Sequence, residues 1–233
     1  MLKKHKRPNV KYLIFCRHGL DNLERLSLAG EYSKRVFVIN AGVKRPDGSG
    51  GWLNAEMTRM AKEAFERRKI ESIITDLNEK WDLEKEVEKV LGSDLLLVQT
   101  PIWAMSTPWQ YTKWQDIVLT DPRVCGTDGR TRKDPNKLYG TGGFLTKKRY
   151  WISTTWNAPE DAVCEPGQFF DARGLEGVLM PLHKQFQYMG IKPLAPSFAI
   201  FDVYKNPTVE SDLLRWKSTL EVVTGKLLIG QTQ

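Results

Sequence analysis

The chain holds 233 residues, 41% hydrophobic, 27% charged and 10% aromatic, which excludes collagen-like and disordered polymers and is length enough for one large domain or two small ones. Its 35 Lys and Arg against 28 Asp and Glu give a net charge of +7, a sign that suits nucleic acid, anionic lipid or phosphorylated small molecules alike. Cys16, Cys125 and Cys164 form no CxxC pair and exclude a disulfide framework, and no apolar run nears the roughly 18 residues of a membrane span.

Lys3, Lys4, Lys6 and Arg7 open the chain, but the apolar run at 12–16 is shorter than a secretory h-region of about 7 to 15 residues and ends on Arg17 and His18. A cytoplasmic location is the expectation. The remaining basic residues form no long stripe, so nucleic acid is not an expected partner. The stretch Leu13-Ile-Phe-Cys-Arg-His-Gly19 resembles the phosphohistidine motif of the histidine phosphatases. That chemistry needs a second catalytic histidine and further arginines, and His5 and His183 are the other histidines of the chain; a packed or exposed histidine is the plainer reading.

Residues 36–40 make a strand-sized apolar run, closed by a Gly, Pro, Asp and Ser cluster at 41–51, after which Leu53, Met57, Met60, Ala61 and Ala64 recur at helical spacing. A second strand is expected at 70–75, and a helix at 82–91 with Leu83, Val87 and Val90 on one face. Residues 94–99 are almost unbroken apolar, the mark of a central parallel strand covered on both sides. A helix follows at 108–118, a long ordered loop at 126–143, a strand at 150–155, a helix at 174–189 closed by Gly190, a fifth strand at 198–203 and a last helix at 211–224. Alternating strands and helices imply right-handed crossovers. The expected fold is therefore an α/β flavodoxin-like three-layer sandwich with a five-stranded parallel sheet in the order 2-1-3-4-5. Residues 36–233 form this domain and 1–35 an N-terminal extension.

Ligands of such sheets bind beyond the carboxyl ends of the strands, which directs attention to the loops after Asn40, Gln99, Thr155 and Val203. The first is glycine-rich and opens a helix, so its N–H groups and the helix dipole favour a phosphate, although neither the GxGxxG nor the P-loop signature is present. The second and third bring Trp103, Trp109 and Trp156 to one edge of the sheet, where indoles and turn backbone suit a planar, partly polar ring such as a flavin. For Trp109, Trp114 and Trp151 a place in the core or an interface is the plainer reading. His183 stands alone on a helix, in no Ser-His-Asp or metal spacing, and reads as hydrogen-bonded structure.

Asp128-Gly-Arg-Thr-Arg-Lys-Asp-Pro-Asn-Lys-Leu-Tyr-Gly-Thr-Gly-Gly143 and Thr155-Trp-Asn-Ala-Pro159 closely resemble the modulator of drug activity B family, as do Gly167-Gln-Phe-Phe170, Gly177-Val-Leu-Met-Pro-Leu-His-Lys184 and Phe201-Asp-Val203. Members are flavodoxin-like NAD(P)H:quinone reductases that bind FAD. The resemblance implies that Ser49, Gly50, Gly51, Trp52, Leu53 and Asn54 hold the FAD pyrophosphate and ribityl chain. By the same likeness Pro101, Ile102, Trp103, Ala104 and Met105 run along the flavin ring, Thr155, Trp156, Asn157 and Ala158 form the second ring loop, and Tyr139 lies at the FAD. It implies FAD rather than FMN, NADPH or NADH as hydride donor, a quinone as acceptor in a ping-pong cycle through flavin N5, and a homodimer with the flavin at its twofold interface. No catalytic side chain is implied, since the cofactor carries the redox step. Backbone N–H groups near Trp156 and Asn157 are candidates to stabilise charge on the reduced ring. Arg130, Arg132 and Lys133 have the charge to meet the ribose phosphate of NADPH, with solvated loop charges as the plainer reading. Ala104 stands where the family has a large ring, which widens the pocket. Azo- or nitro-reduction on the same fold, or a flavin electron-transfer or regulatory role without turnover, are the alternatives.

Overall fold

The structure is a computed structural model that describes residues 33–45 and 50–229. The expectations for Cys16, His18 and the phosphohistidine-like motif, and for Ser49, fall outside the described residues.

Parallel strands β1 (Lys34–Asn40), β2 (Ile70–Asp76), β3 (Leu95–Pro101) and β4 (Arg149–Thr155) pair in the order β2-β1-β3-β4. Two short segments, β5 (Lys192–Pro193) and β6 (Phe198–Ile200), complete the fifth position against β4. This is the expected flavodoxin-like α/β sheet with strand order 2-1-3-4-5. The helices are α1 (Trp52–Arg67), α2 (Leu83–Gly92), α3 (Trp109–Val118), α4 (Pro122–Cys125), α5 (Glu160–Cys164), α6 (Gly174–Val178), α7 (Met180–Tyr188) and α8 (Val209–Ile229).

Side chains alternate across each strand, and both faces are covered. Phe37, Ile39, Leu96, Val98, Tyr150 and Ile152 face α2, α3 and α7 through Val87, Trp114 and Phe186. Val36, Val38, Leu95, Leu97 and Trp151 face α1 and α8 through Met57, Phe65, Trp216 and Leu220. Trp151 and Trp216 stack at 4.9 Å, and the Trp216 indole N–H donates to the Met57 carbonyl at 3.0 Å, so α8 is tied to α1 as well as packed on the sheet. Trp114 and Trp151 are thus core residues, whereas Trp109 is exposed at 67%.

Two expected elements differ, and proline explains both. The helix at 174–189 divides at Leu179: Pro181 has no N–H for the preceding turn, so the chain restarts a helix with proline in its first turn. The fifth strand starts earlier and is interrupted. Residues 194–197 stand opposite Trp151 and Ile152 alone, because Pro193 and Pro196 cannot donate to a ladder. The Pro196 carbonyl accepts instead from the Trp151 indole at 2.9 Å. The strand ends at Ile200 rather than at residue 203, since Asp202 adopts φ 51° and turns the chain.

One charge is buried under α2. The Glu86 carboxylate accepts from Thr75 Oγ1 and from the Trp114 indole N–H, each at 2.8 Å, and pairs with Lys89. It ties α2 to β2 and α3, and it is the acceptor for the buried Trp114 indole N–H. Glu86→Ala is expected to lower the unfolding free energy by about 3 kcal/mol, read from urea denaturation, because it strands buried donors as well as opening space.

Candidate functional site

A cavity of about 630 Å³ opens at the carboxyl ends of β1, β3, β4 and β6. Gly50, Gly51, Trp52, Leu53, Asn54, Pro101, Ile102, Trp103, Ala104, Met105, Thr155, Trp156, Asn157 and Ala158 all border it. Three loops far apart in sequence therefore converge as expected. It lies beside the β1/β3 boundary, where the strand order reverses and doubly wound sheets bind ligands.

The first wall is the start of α1. Gly51 caps this helix at φ 81°, and no side chain satisfies its end, so the positive end of the dipole meets the cavity uncapped. A Cβ at Gly51 would lie 2.4 Å from the Gly42 carbonyl oxygen, which leaves glycine as the residue that fits. Asn54 is buried, and its side chain is committed to the scaffold. Its Oδ1 accepts from Gln99 Nε2 at 2.8 Å, and its Nδ2 donates to Thr155 Oγ1 at 3.1 Å. These bonds lash α1, β3 and β4 together beneath the cavity.

The second wall is the tight turn after β3. Trp103 and Ser106 exchange both backbone hydrogen bonds, at 2.7 and 2.8 Å, with Ala104 at φ 45° and Met105 at φ 65° between them. Two consecutive left-handed residues other than glycine cost roughly 1–2 kcal/mol each, and such strain gathers at ligand sites. Ala104 and Met105 are held outward at the cavity.

The third wall follows β4. Trp156 is buried, with its indole N–H on Thr154 Oγ1 at 2.8 Å and its ring against Phe170 and Phe201. Its backbone N–H donates to the Ile200 carbonyl at 2.8 Å. That donor belongs to the β4/β6 ladder, which corrects the expectation that it faces a bound ring.

Phe170, Val203, Tyr204, Val209 and Arg45 also border the cavity and were not among the expected residues. Phe170 and Val203 end two of the motif stretches, and Arg45 stands in the first glycine-rich loop, so position in those segments was the available signal. Arg45 is the one charged side chain on the cavity wall among the described residues. Its guanidinium carbon lies 5.3 Å from the Trp103 ring centroid.

Tyr139 does not border the cavity. It is exposed at 68%, packs against Tyr188 with ring centroids 5.6 Å apart, and lies under Arg130. The loop carrying it is ordered by a succession of side-chain turns, with Thr127, Asp128, Thr131 and Asp134 each accepting from the backbone N–H two residues on. Arg130 is paired with Asp128, whose carboxyl this hydrogen bond holds below its ordinary value.

His183 lies away from the cavity, at the other end of β4, as hydrogen-bonded structure. Its Nδ1 meets the Tyr150 hydroxyl at 2.8 Å and its Nε2 meets Glu176 at 2.5 Å. Glu176 also accepts from the Ser197 N–H and Oγ at 2.7 and 2.9 Å. Partial burial alone would raise the Glu176 carboxyl, but the bonds from His183 and Ser197 together outweigh it and hold it at about 2.

A doubly wound α/β protein with a ring-sized cavity at its strand-order reversal is the class defined by this geometry. A family described by the flavodoxin-like fold matches residues 34–220, and the chain belongs to that family. It is 37% identical over 192 residues, 82% of this chain and 99% of the relative, to the NADPH:quinone oxidoreductase MdaB of Haemophilus influenzae. It is 38% identical over 193 residues, 82% of this chain and 97% of the relative, to an uncharacterized protein of Schizosaccharomyces pombe. Among solved structures, general stress protein 14 of Treponema denticola in complex with FMN superposes with a TM-score of 0.56 at 16% identity, covering 82% of this chain and 99% of that one. That likeness concerns the fold.

Gly51→Ala is expected to lower stability by about 1–3 kcal/mol, visible as a reduced thermal midpoint, since the added methyl meets backbone and the residue must keep positive φ. Acid unfolding carries a separate signature. A carboxyl depressed below its ordinary 4.5 stabilises the fold fully above that value, and the contribution disappears as pH falls toward 2. Stability measured against pH in this window is expected to fall less steeply in Glu176→Gln than in the parent protein.

Proposed function

We propose that the protein is a flavin-dependent NAD(P)H:quinone oxidoreductase. The observation that carries this reading is the convergence of an uncapped helix start, a strained aromatic turn and the Thr155 loop on one cavity. The reading is supported by the match along 99% of a relative named as an NADPH:quinone oxidoreductase.

The residues present fit a flavin. The open end of α1, where Gly51 brings backbone close, suits a phosphate or diphosphate, and the Trp103 turn offers an indole and turn backbone to a planar ring. When bound, a flavin would supply the two-electron redox chemistry between a nicotinamide donor and the acceptor. The overall balance is NAD(P)H, a proton and a quinone giving NAD(P)+ and a hydroquinone. The protein's part is position and dryness. Trp156, Phe170 and Leu53 close the cavity floor to water, the Asn54–Gln99–Thr155 bonds fix its walls, and no side-chain nucleophile is required. FAD rather than FMN is the cofactor of this reading, on the strength of the motif resemblance.

We propose residues 36–233 as the catalytic domain and the segment before it as an N-terminal extension, with the boundary moved to include Lys34 and Arg35, which pair with Ile70 and Glu71 in the sheet. No helix among the described residues is long and apolar enough to cross a membrane, and the proposed location is the cytoplasm. A homodimer is part of the proposal. Trp52 and Tyr204 stand 62% and 77% exposed at the cavity mouth, where a second copy would cover them and bring Tyr139 near a flavin. Ala104 leaves room for bulky acceptors, so azo and nitro compounds are secondary substrates on this reading.

Purified protein is expected to be yellow, to release FAD identified by mass, to bleach on adding NADPH and to recover its colour with menadione. A colourless preparation that takes up neither FAD nor FMN would overturn the proposal. A flavin that NADPH bleaches and menadione does not restore would reassign the protein to electron transfer or regulation.

A further inference from the structure

The wall of the cavity is aromatic, aliphatic and neutral polar with a single exception among the described residues, Arg45. Its stem lies beside Gly50, just before α1, and its guanidinium carbon stands over the Trp103 ring at 5.3 Å from the centroid. No carboxylate or carbonyl accepts from it among the described residues. A cation–π contact at an exposed site is a weak tether, and it leaves the five in-plane N–H donors of the guanidinium without an acceptor among the described residues. The phosphate of a bound flavin already has the open end of α1 to meet it, whereas the Arg45 charge stands beside the surface that holds a ring. A lone fork of donors beside an aromatic wall recognises a planar aromatic that carries an anionic substituent.

We propose that Arg45 is a specificity-determining residue that makes the cavity prefer anionic aromatic acceptors, such as sulfonated or carboxylated quinones, over neutral ones; this rests on the quinone reductase reading above. The substituent takes no part in the reaction. The quinone ring gains a hydride equivalent and a proton, while the sulfonate or carboxylate keeps its charge and pairs with the guanidinium. The net charge of +7 adds long-range attraction for the same molecules, so the preference weakens as salt is raised.

The test compares kcat/KM for naphthoquinone sulfonate and for unsubstituted naphthoquinone in the flavin-loaded parent, Arg45→Gln and Arg45→Lys, at low and moderate ionic strength. Calorimetric binding of unreactive naphthalene sulfonate and fluorimetric FAD affinity are measured alongside. The sulfonate-to-neutral ratio is expected to fall about tenfold in Arg45→Gln, chiefly through KM, with Arg45→Lys between. Naphthalene sulfonate affinity falls by a similar factor. An unchanged ratio overturns the inference and leaves the oxidoreductase reading standing. It is also overturned if Arg45→Gln instead loses FAD affinity tenfold, or loses its discrimination between NADPH and NADH, since the guanidinium then serves a cofactor phosphate. A parent protein that binds no flavin or reduces neither quinone overturns both readings.

Discussion

Asn54, Gln99 and Thr155 belong to a helix and two strands, and they exchange hydrogen bonds where water does not reach. The apolar layers on both faces of the sheet supply most of the burial, but dispersion and hydrophobic contact are non-directional and tolerate small slips. A buried amide pair does not. Sliding α1 by a fraction of a turn would leave polar atoms unpaired, each at about 1–3 kcal/mol, so the start of the helix is held in one place relative to β3 and β4. The cavity inherits its shape from that restraint. Gly51 acts in the same sense, because a helix end can approach the Gly42 carbonyl this closely with hydrogen in place of a methyl.

Most of the fold is legible in the residues, for a physical reason. Strands covered on both faces must be apolar at consecutive positions, so β1 and β3 stand out as unbroken runs, and α1 announces itself through the helical spacing of Leu53, Met57, Ala61 and Ala64. The edge of the sheet is harder to read. Phe198, Ala199 and Ile200 form the visible part of the last strand, while Lys192 and Pro193 pair with β4 without any apolar signature. A proline inside an otherwise helical pattern likewise permits either a kink or a restart, and the choice at Leu179 depends on packing.

The site is legible to a similar degree. Loops ending strands of known order must meet at one rim, and this places the Gly51, Trp103 and Thr155 segments together before any contact is known. Which backbone donors remain open is a different question: the Trp156 N–H joins β6, and only the register of that short strand determines this. Tyr139 sits on a well-ordered loop against Tyr188, outside the cavity of its own chain, and the pattern of residues around it carries no sign of that distance. Arg45 was hidden by composition, one cation among 35, and stands out once its neighbours on the wall prove to be uncharged.

The broken fifth strand has a bearing on how these molecules behave when crowded. An outer strand with a continuous row of free N–H and C=O groups invites strands of other chains to add on, and this is a common start of aggregation. Along β5 and β6 that row is only two and three residues long, with Pro193 deleting a donor within β5 and Pro196 another between the two. Stray pairing therefore finds little purchase on this flank, whereas β2, at the other end of the sheet among the described residues, is seven residues long and carries charge in Glu71, paired with Arg35.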